Sequence, residues 1–257
     1  RLGASKTYTL PQAKEISPYR YVGVNFNSQG NPNLKPSDHY NLDLKWDFNP
    51  TPTELISLTA FYKLIKNPIS RIEVASAGGY LSYENIADKA TVAGVEIEIR
   101  KNLFVRPLSS AANGMNKLSF GLNGSYIYTN AKMPLATVTT GSQLEGAAPW
   151  IANFDLSHNF TKGNHSFINT LVFNYVSDKI YTIGTQGYQD IIEQGMMMLD
   201  FVSQAKLNKY VSLTLKARNL LNPSYKLSRK ANENGEKVIL NDYKKGINIS
   251  LGVSCTF

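Results

Sequence analysis

Cysteine is almost absent from the chain: a single residue, Cys255, in 257. A lone thiol cannot close an internal disulfide, and it leaves no cysteine cluster for zinc. Histidine is nearly as scarce, with three copies, His39, His158 and His165, set far apart. None has a Cys, Ser or acid at a spacing that would build a nucleophile and its base, so no catalytic constellation emerges. Long apolar runs are missing as well, and nothing approaches the roughly 18–20 residues of a membrane helix. That absence excludes a helical span and no more, because strands that cross a bilayer are only half apolar and average out as polar. The opening "RLGASKTYTL" has neither the apolar stretch nor the cleavage site of an export signal.

Charge is lopsided, with 27 Lys and Arg against 19 Asp and Glu, a formal net charge of +8. The cations are dispersed rather than gathered into a stripe, and many alternate with acids, as in Asp43, Lys45 and Asp47 or Glu96, Glu98 and Arg100. Dispersal of this kind argues against a nucleic-acid partner.

What is abundant is tyrosine, 15 copies, with 11 phenylalanines, a composition that favours strands. The stretch "YNLDLKWDF" places Tyr40, Leu42, Leu44, Trp46 and Phe48 on one face and Asn41, Asp43, Lys45 and Asp47 on the other. Val211–Arg218 repeats the pattern, and the final "GINISLGVSCTF" alternates up to the last residue. Similar alternation runs through Ile56–Leu64, Val95–Arg100, Leu118–Tyr128, Phe154–Phe160, Phe167–Tyr175 and Leu199–Lys206. With Arg1–Thr9 as the first, about ten strands are expected, many near the roughly 9–11 residues that cross a bilayer at a tilt.

The connections alternate in length. Asn49–Glu54, Thr161–Asn164 and Leu207–Tyr210 are short, with Phe104–Asn116 a longer exception. Leu10–Ser37, Lys66–Ala90, Ala131–Ala148, Ser177–Gly195 and Leu220–Lys245 are long. Short turns on one side and long loops on the other are the mark of a membrane β-barrel. Tyr40, Tyr62, Tyr126, Tyr128, Trp150 and Tyr175 then fall at the outer strand ends; Trp46, Phe48, Phe104, Phe160, Phe167, Tyr210 and Phe257 fall at the inner ends. Two such belts are the expected girdles at headgroup level. The predicted fold class is therefore all-β, an antiparallel transmembrane barrel.

Several stretches resemble the C-terminal barrel half of TonB-dependent outer-membrane receptors, especially of the Bacteroidetes type. "GNPNLKPS" (Gly30–Ser37) is similar to the family's segment ahead of a strand, with Ser37 in place of the usual Glu. "ISLTAFYKLIKNPI", "NIADKATVAGVEIEIRKNL", "GAAPWIANFDLSHNF" and "ARNLLNPSY" follow in the family's order. "RLGASKTYTLPQ" resembles another family strand, its exit replaced by Leu10, Pro11 and Gln12. The resemblance implies a 22-stranded barrel around a plug, of which residues 1–257 would be the C-terminal portion, about ten strands. Plug, N-terminal strands, signal peptide and TonB box are expected in a longer polypeptide interrupted at Arg1. It also implies TonB-energised import of a scarce nutrient (siderophore, haem, vitamin, glycan or peptide) in a Gram-negative outer membrane. Expected partners are membrane lipid and lipopolysaccharide, the plug and missing strands, and TonB through the plug; the SusC-like branch adds a surface lipoprotein lid. The chain is expected to be no enzyme and to carry no cofactor or metal. The terminal aromatic, Phe257, resembles the signal read by the barrel-insertion machinery.

Recognition falls to the long outer loops, since rigid scaffolds carry it there. Tyr19, Arg20, Tyr21, Tyr80, Tyr83, Tyr181 and Tyr188 are the candidates, able to stack on a sugar or aromatic ligand or to pair with an anion. Loop packing and headgroup contact are the competing account of the same residues. Asp43/Asp47 and Glu96/Glu98 read as a solvated lumen network, and Met196–Met198 as the start of a strand rather than a soft-metal site. Two other readings remain open from sequence: a freestanding barrel of about ten strands acting as porin, adhesin or surface protease, and a secreted all-β carbohydrate-binding module.

Overall fold

The computed structural model describes residues 1–256 apart from 77–78, 109–113, 134–142 and 232–234. Phe257, read above as an assembly signal, lies outside the described residues. In chain order the strands begin with β1 (Leu2–Thr9), β2 (Arg20–Tyr21), β3 (Ser28–Gln29), β4 (Ser37–Phe48), β5 (Leu55–Lys66) and β6 (Ile69–Val74). Next come β7 (Tyr80–Asn85), β8 (Lys89–Leu108), β9 (Gly114–Ala131), β10 (Trp150–Lys162), β11 (His165–Val176) and β12 (Lys179–Thr182). The remainder are β13 (Ile191–Glu193), β14 (Met196–Lys206), β15 (Val211–Arg218), β16 (Ser224–Lys230), β17 (Lys237–Lys244) and β18 (Asn248–Cys255). A short helix, α1 (Ala13–Ile16), follows β1.

Ten strands form one antiparallel sheet in the order β1-β4-β5-β8-β9-β10-β11-β14-β15-β18. Each wall strand pairs with the next wall strand along the chain, so the sheet is a simple meander. It is open: β1 and β18 are its edges, and every residue of both is exposed. A separately closed ten-stranded barrel is not what forms.

The wall has one apolar and one polar face. Leu42, Leu44 and Trp46 are 49%, 58% and 56% exposed despite their size. Across β15 and β18 the register sets Leu213 beside Val253 and Leu215 beside Leu251 on the same face. A sheet one layer thick buries neither face, so hydrophobic burial in water cannot be what holds it. The ladder hydrogen bonds hold it, and the exposed apolar face calls for a non-aqueous neighbour.

Register locks are local. Gly163, at φ +59°, takes the first central position of the two-residue turn between Lys162 and His165, as a type II′ turn requires. β8 shifts register between Asn102 and Phe104. That bulge breaks the alternation, which is why "KNLFVRPL" reads from sequence as a loop. Phe104–Asn116, the longer exception among the short connections, is instead strand at both ends, with β8 running to Leu108 and β9 starting at Gly114.

The long connections are also not plain loops. They carry two further four-stranded sheets, β2-β3-β7-β6 and β12-β13-β16-β17. A parallel bridge between Ile72 and Ile183 ties one to the other. The apolar core of the molecule lies here, among Ile72, Ile86, Ala90, Ala131, Ile180 and Ile183, each at most 5% exposed. The molecule is thus a coreless wall surmounted by a cored cap.

Glycine spacing in the wall gives a sharp test. On Gly94 a Cβ would stand 2.4 Å from Phe61 Cζ and 2.5 Å from the Tyr126 carbonyl oxygen, whereas on Gly124 the nearest atom is 3.6 Å away. We expect Gly94→Ala to lower the unfolding free energy of the folded barrel by about 1–3 kcal/mol, as overpacking does. Gly124→Ala should leave it nearly unchanged, both measured by urea titration in micelles.

Candidate ligand-binding region in the cap

Strand β6 organises the cap. Its pleat sends Ile72 into the core and aims Arg71 and Glu73 the other way. Arg71 meets Glu145 twice: Nη2 donates to Oε1 at 2.7 Å, and the backbone N–H donates to Oε2 at 2.6 Å. Its Nε donates to the Tyr181 carbonyl at 3.1 Å, and the guanidinium lies 4.0 Å from the Tyr181 ring centroid. Burial works against the charge on Arg71, but the Glu145 carboxylate outweighs it and raises the pKa further.

Glu73 repeats the arrangement two residues on. It takes a hydrogen bond from Arg229 of β16, whose guanidinium stands 5.3 Å from the Tyr188 ring centroid. The Glu73 carbonyl accepts a hydrogen bond from the Thr185 hydroxyl. Each arginine is therefore held between a carboxylate and a tyrosine face. The four long connections contributing these residues are locked to one another through β6.

The seven residues expected from sequence divide accordingly. Tyr83 and Tyr181 converge on Arg71, Tyr188 caps Arg229, and Arg20 lies 5.6 Å from the centroid of Tyr80. Tyr181 also approaches Phe26, 6.2 Å between centroids. Burial pushes the Tyr83 hydroxyl up, Arg71 opposing, and burial likewise pushes up the Tyr225 hydroxyl, with Glu193 adding to it. Tyr19 and Tyr21 stay apart from these clusters; Tyr19 is 77% exposed, and Lys14 stands 5.9 Å from the Tyr21 ring centroid.

Sequence reading missed Arg71, Glu73, Glu145 and Arg229. Arg71-Ile72-Glu73 has the charged–apolar–charged alternation of a half-buried strand, which is a weak sign. The partners stand 74 and 156 residues away along the chain, and nothing local announces them.

Beside Glu73 and Tyr80 opens a cavity of about 310 Å³, lined mostly by polar atoms and including Asn25, Phe26 and Asn27. A second, of about 250 Å³, lies where the cap meets β4, with His39, Glu15 and Glu145 on its wall. His39 Nε2 is 3.0 Å from Thr9 Oγ1. On the apolar face of the wall, His158 Nε2 sits 2.9 Å from Asn116 Oδ1. The methionine run splits by the pleat: Met197 is 53% exposed on the apolar face, while Met196 and Met198 line a cavity of about 300 Å³ on the other. Among the described residues no group of three or more His, Cys, Asp or Glu could hold a metal ion.

Residues 1–220 match the family model described as TonB dependent receptor-like, beta-barrel. The chain belongs to that family, whose members are receptors of Gram-negative outer membranes and not an enzyme class. No helix among the described residues is long and apolar enough to cross a membrane, which says nothing of strands. Among solved structures, a variant of the ferric enterobactin receptor from Pseudomonas aeruginosa superposes over 100% of this chain at 17% identity and TM-score 0.58. Another variant of that receptor, crystallised in complex with enterobactin, matches at 16% identity and TM-score 0.57. Identity this low shows a shared fold alone. The chain spans 38% of the length of each of those structures. Among curated proteins none matches.

The two capped ion pairs predict how the cap responds to damage. Arg71→Ala strands Glu145 half-buried, and a loss of about 2–3 kcal/mol of local stability is expected. Hydrogen exchange should speed up in β6, β7 and β12 and stay unchanged in the wall. Glu84 in β7 behaves oppositely, since burial raises its pKa above the ordinary 4.5. The folded cap holds that proton to higher pH than the unfolded chain, so its contribution is fully present below 4.5 and lost as pH rises through the folded value. Glu84→Gln should therefore slow cap exchange at pH 7 and change little at pH 4.

Proposed function

We propose that this chain is the C-terminal wall of an outer-membrane receptor that imports a scarce nutrient by TonB-energised transport. The observation that carries the reading is the open wall with two exposed edge strands, in a chain of the TonB-dependent receptor family. Bare strand edges are not tolerated in lipid, so further strands pair with β1 and β18, and the closed barrel encloses a plug. Energy coupling belongs to the plug, through TonB. The apolar face contacts membrane lipid, and the polar face lines the lumen.

Ligand capture belongs to the cap. Arg20, Tyr80, Tyr83, Tyr181 and Tyr188 contribute to it, with Tyr19 and Tyr21 at its margin. Tyr83, Tyr181 and Tyr188 first serve to hold the cap in shape, so their contribution to binding is through the surface they shape. Arg20 over Tyr80, beside the polar cavity, is the pair freest to meet a ligand directly. The ligand class is a siderophore, haem, vitamin, glycan or peptide. The loop motifs noted from sequence support a Bacteroidetes-type receptor.

A cell lacking the complete receptor should grow poorly when one nutrient is supplied at limiting concentration and recover when it is abundant. Loss of TonB should reproduce that defect, and Arg20→Ala with Tyr80→Ala should weaken uptake while leaving the receptor folded in the membrane. Uptake indifferent to TonB would mark a passive porin instead.

A further inference from the structure

The apolar face of the wall carries a polar island. His158 of β10 pairs directly with Asn169 of β11, and Asn169 with Ser203 of β14, so the three half-buried side chains stand side by side on that face. Asn116 of β9 pairs with Phe160 and reaches diagonally to His158. Apolar residues enclose the island. Leu118 and Leu215 flank it in its own row, Leu156 and Leu171 come next toward the cap, and Phe160 and Phe167 come next toward the short turn at Gly163. From Trp150 to Phe160 the face runs about 33 Å along β10, or about 25 Å of depth at a tilt of about 40°, which is the height of a barrel's apolar band. The island therefore lies inside that band, one step in from its inner aromatic belt.

Hydrocarbon offers no hydrogen bonds, so polar side chains there are costly and call for protein partners. The island meets part of that need itself. His158 Nε2 donates to Asn116 Oδ1 at 2.9 Å, and Ser203 Oγ donates to Asn169 Oδ1 at 2.7 Å. Among the described residues the side-chain amide N–H groups of Asn116 and Asn169 find no acceptor. In the neutral imidazole of His158, Nδ1 is left as an acceptor. The unused donors and acceptors thus stand next to one another and carry no net charge, which makes the set complementary to itself. Two copies inserted in one membrane share an orientation, so a two-fold axis relating them runs along the membrane normal, and residues close to it meet at equal depth. With the axis between His158 and Asn169, the Asn169 amide of each copy donates to His158 Nδ1 of the other. An unrelated partner would need its own polar groups at the same depth.

We propose that Asn116, His158, Asn169 and Ser203 form an intramembrane contact through which two copies of this receptor pair side by side, wall against wall. The inference rests on the outer-membrane reading given above. The contact is separate from the nutrient region in the cap, so pairing leaves that region open.

The test uses the complete receptor carrying Cys255→Ser, oxidised in its native outer membrane, and recovery in that fraction reports on the membrane reading separately. Leu171→Cys places a thiol beside the island without altering it, and Leu44→Cys places one on the same face but far off, in β4. Mild oxidation should link the Leu171→Cys receptor into a dimer of two identical chains, identified by mass, and leave the Leu44→Cys receptor unlinked. Adding His158→Leu and Asn169→Leu to the Leu171→Cys receptor should cut the linked fraction about tenfold, the order expected when two hydrogen bonds between membrane-spanning segments are lost. Both leucines suit a lipid-facing position, and unaltered heat-modifiable mobility would show that the barrel remains folded. No linking in a receptor recovered from the outer membrane, equal linking of the Leu44→Cys receptor, a linked fraction undiminished by the two leucines, or a linked product containing a different protein would each overturn the proposal.

Discussion

The backbone hydrogen-bond ladder is the constraint on which everything else here depends. In water a single-layer sheet with one apolar face would be unstable or aggregate. In hydrocarbon the terms reverse: the apolar face is solvated by lipid, and unpaired backbone groups become the intolerable feature. A strand that alternates strictly, and pairs along its whole length with both neighbours, is the answer to that solvent. It explains why the wall has ladders and no core, and why the buried isoleucines are all found in the cap.

The cap obeys the ordinary rules of aqueous folding. Its small sheets bury Ile72 against Ile183, and it ties distant connections together by Arg71 with Glu145 and Arg229 with Glu73. Half-buried arginines flanked by a carboxylate and a ring fix shape more than they add stability. A surface assembled from several connections is only as ordered as the links among them. The same molecule thus uses two solutions to two solvents, joined where Ala90 and Ala131 close the top of the wall.

These two halves differ in how far they can be read from sequence. Wall strands announce themselves because period two is a local pattern, visible in nine residues from Tyr40 to Phe48. The number of wall strands and their meander order follow from that pattern plus the loop lengths. The pattern fails at the bulge near Asn102 and Phe104, where one inserted residue inverts the faces. Cap strands are two to eight residues long, too short for periodicity to stand out. Their pairing is set by contacts between distant segments, including a parallel one at Ser28 and Leu81. The tyrosines of the cap were visible as a class, and their arginine and glutamate partners were not, because a pair such as Glu73 and Arg229 leaves no trace in either neighbourhood.

The central claim is that one face of the wall meets lipid and the other meets water. It is tested most directly by spin labels placed one at a time from Tyr40 to Phe48 in the complete receptor, after Cys255→Ser. Collision with lipid-soluble oxygen should peak at Leu42, Leu44 and Trp46, and collision with a water-soluble nickel chelate at Asn41, Asp43 and Lys45. The two profiles should be out of phase with a period of two residues. Profiles in phase, or water access at every position, would contradict a membrane-spanning wall.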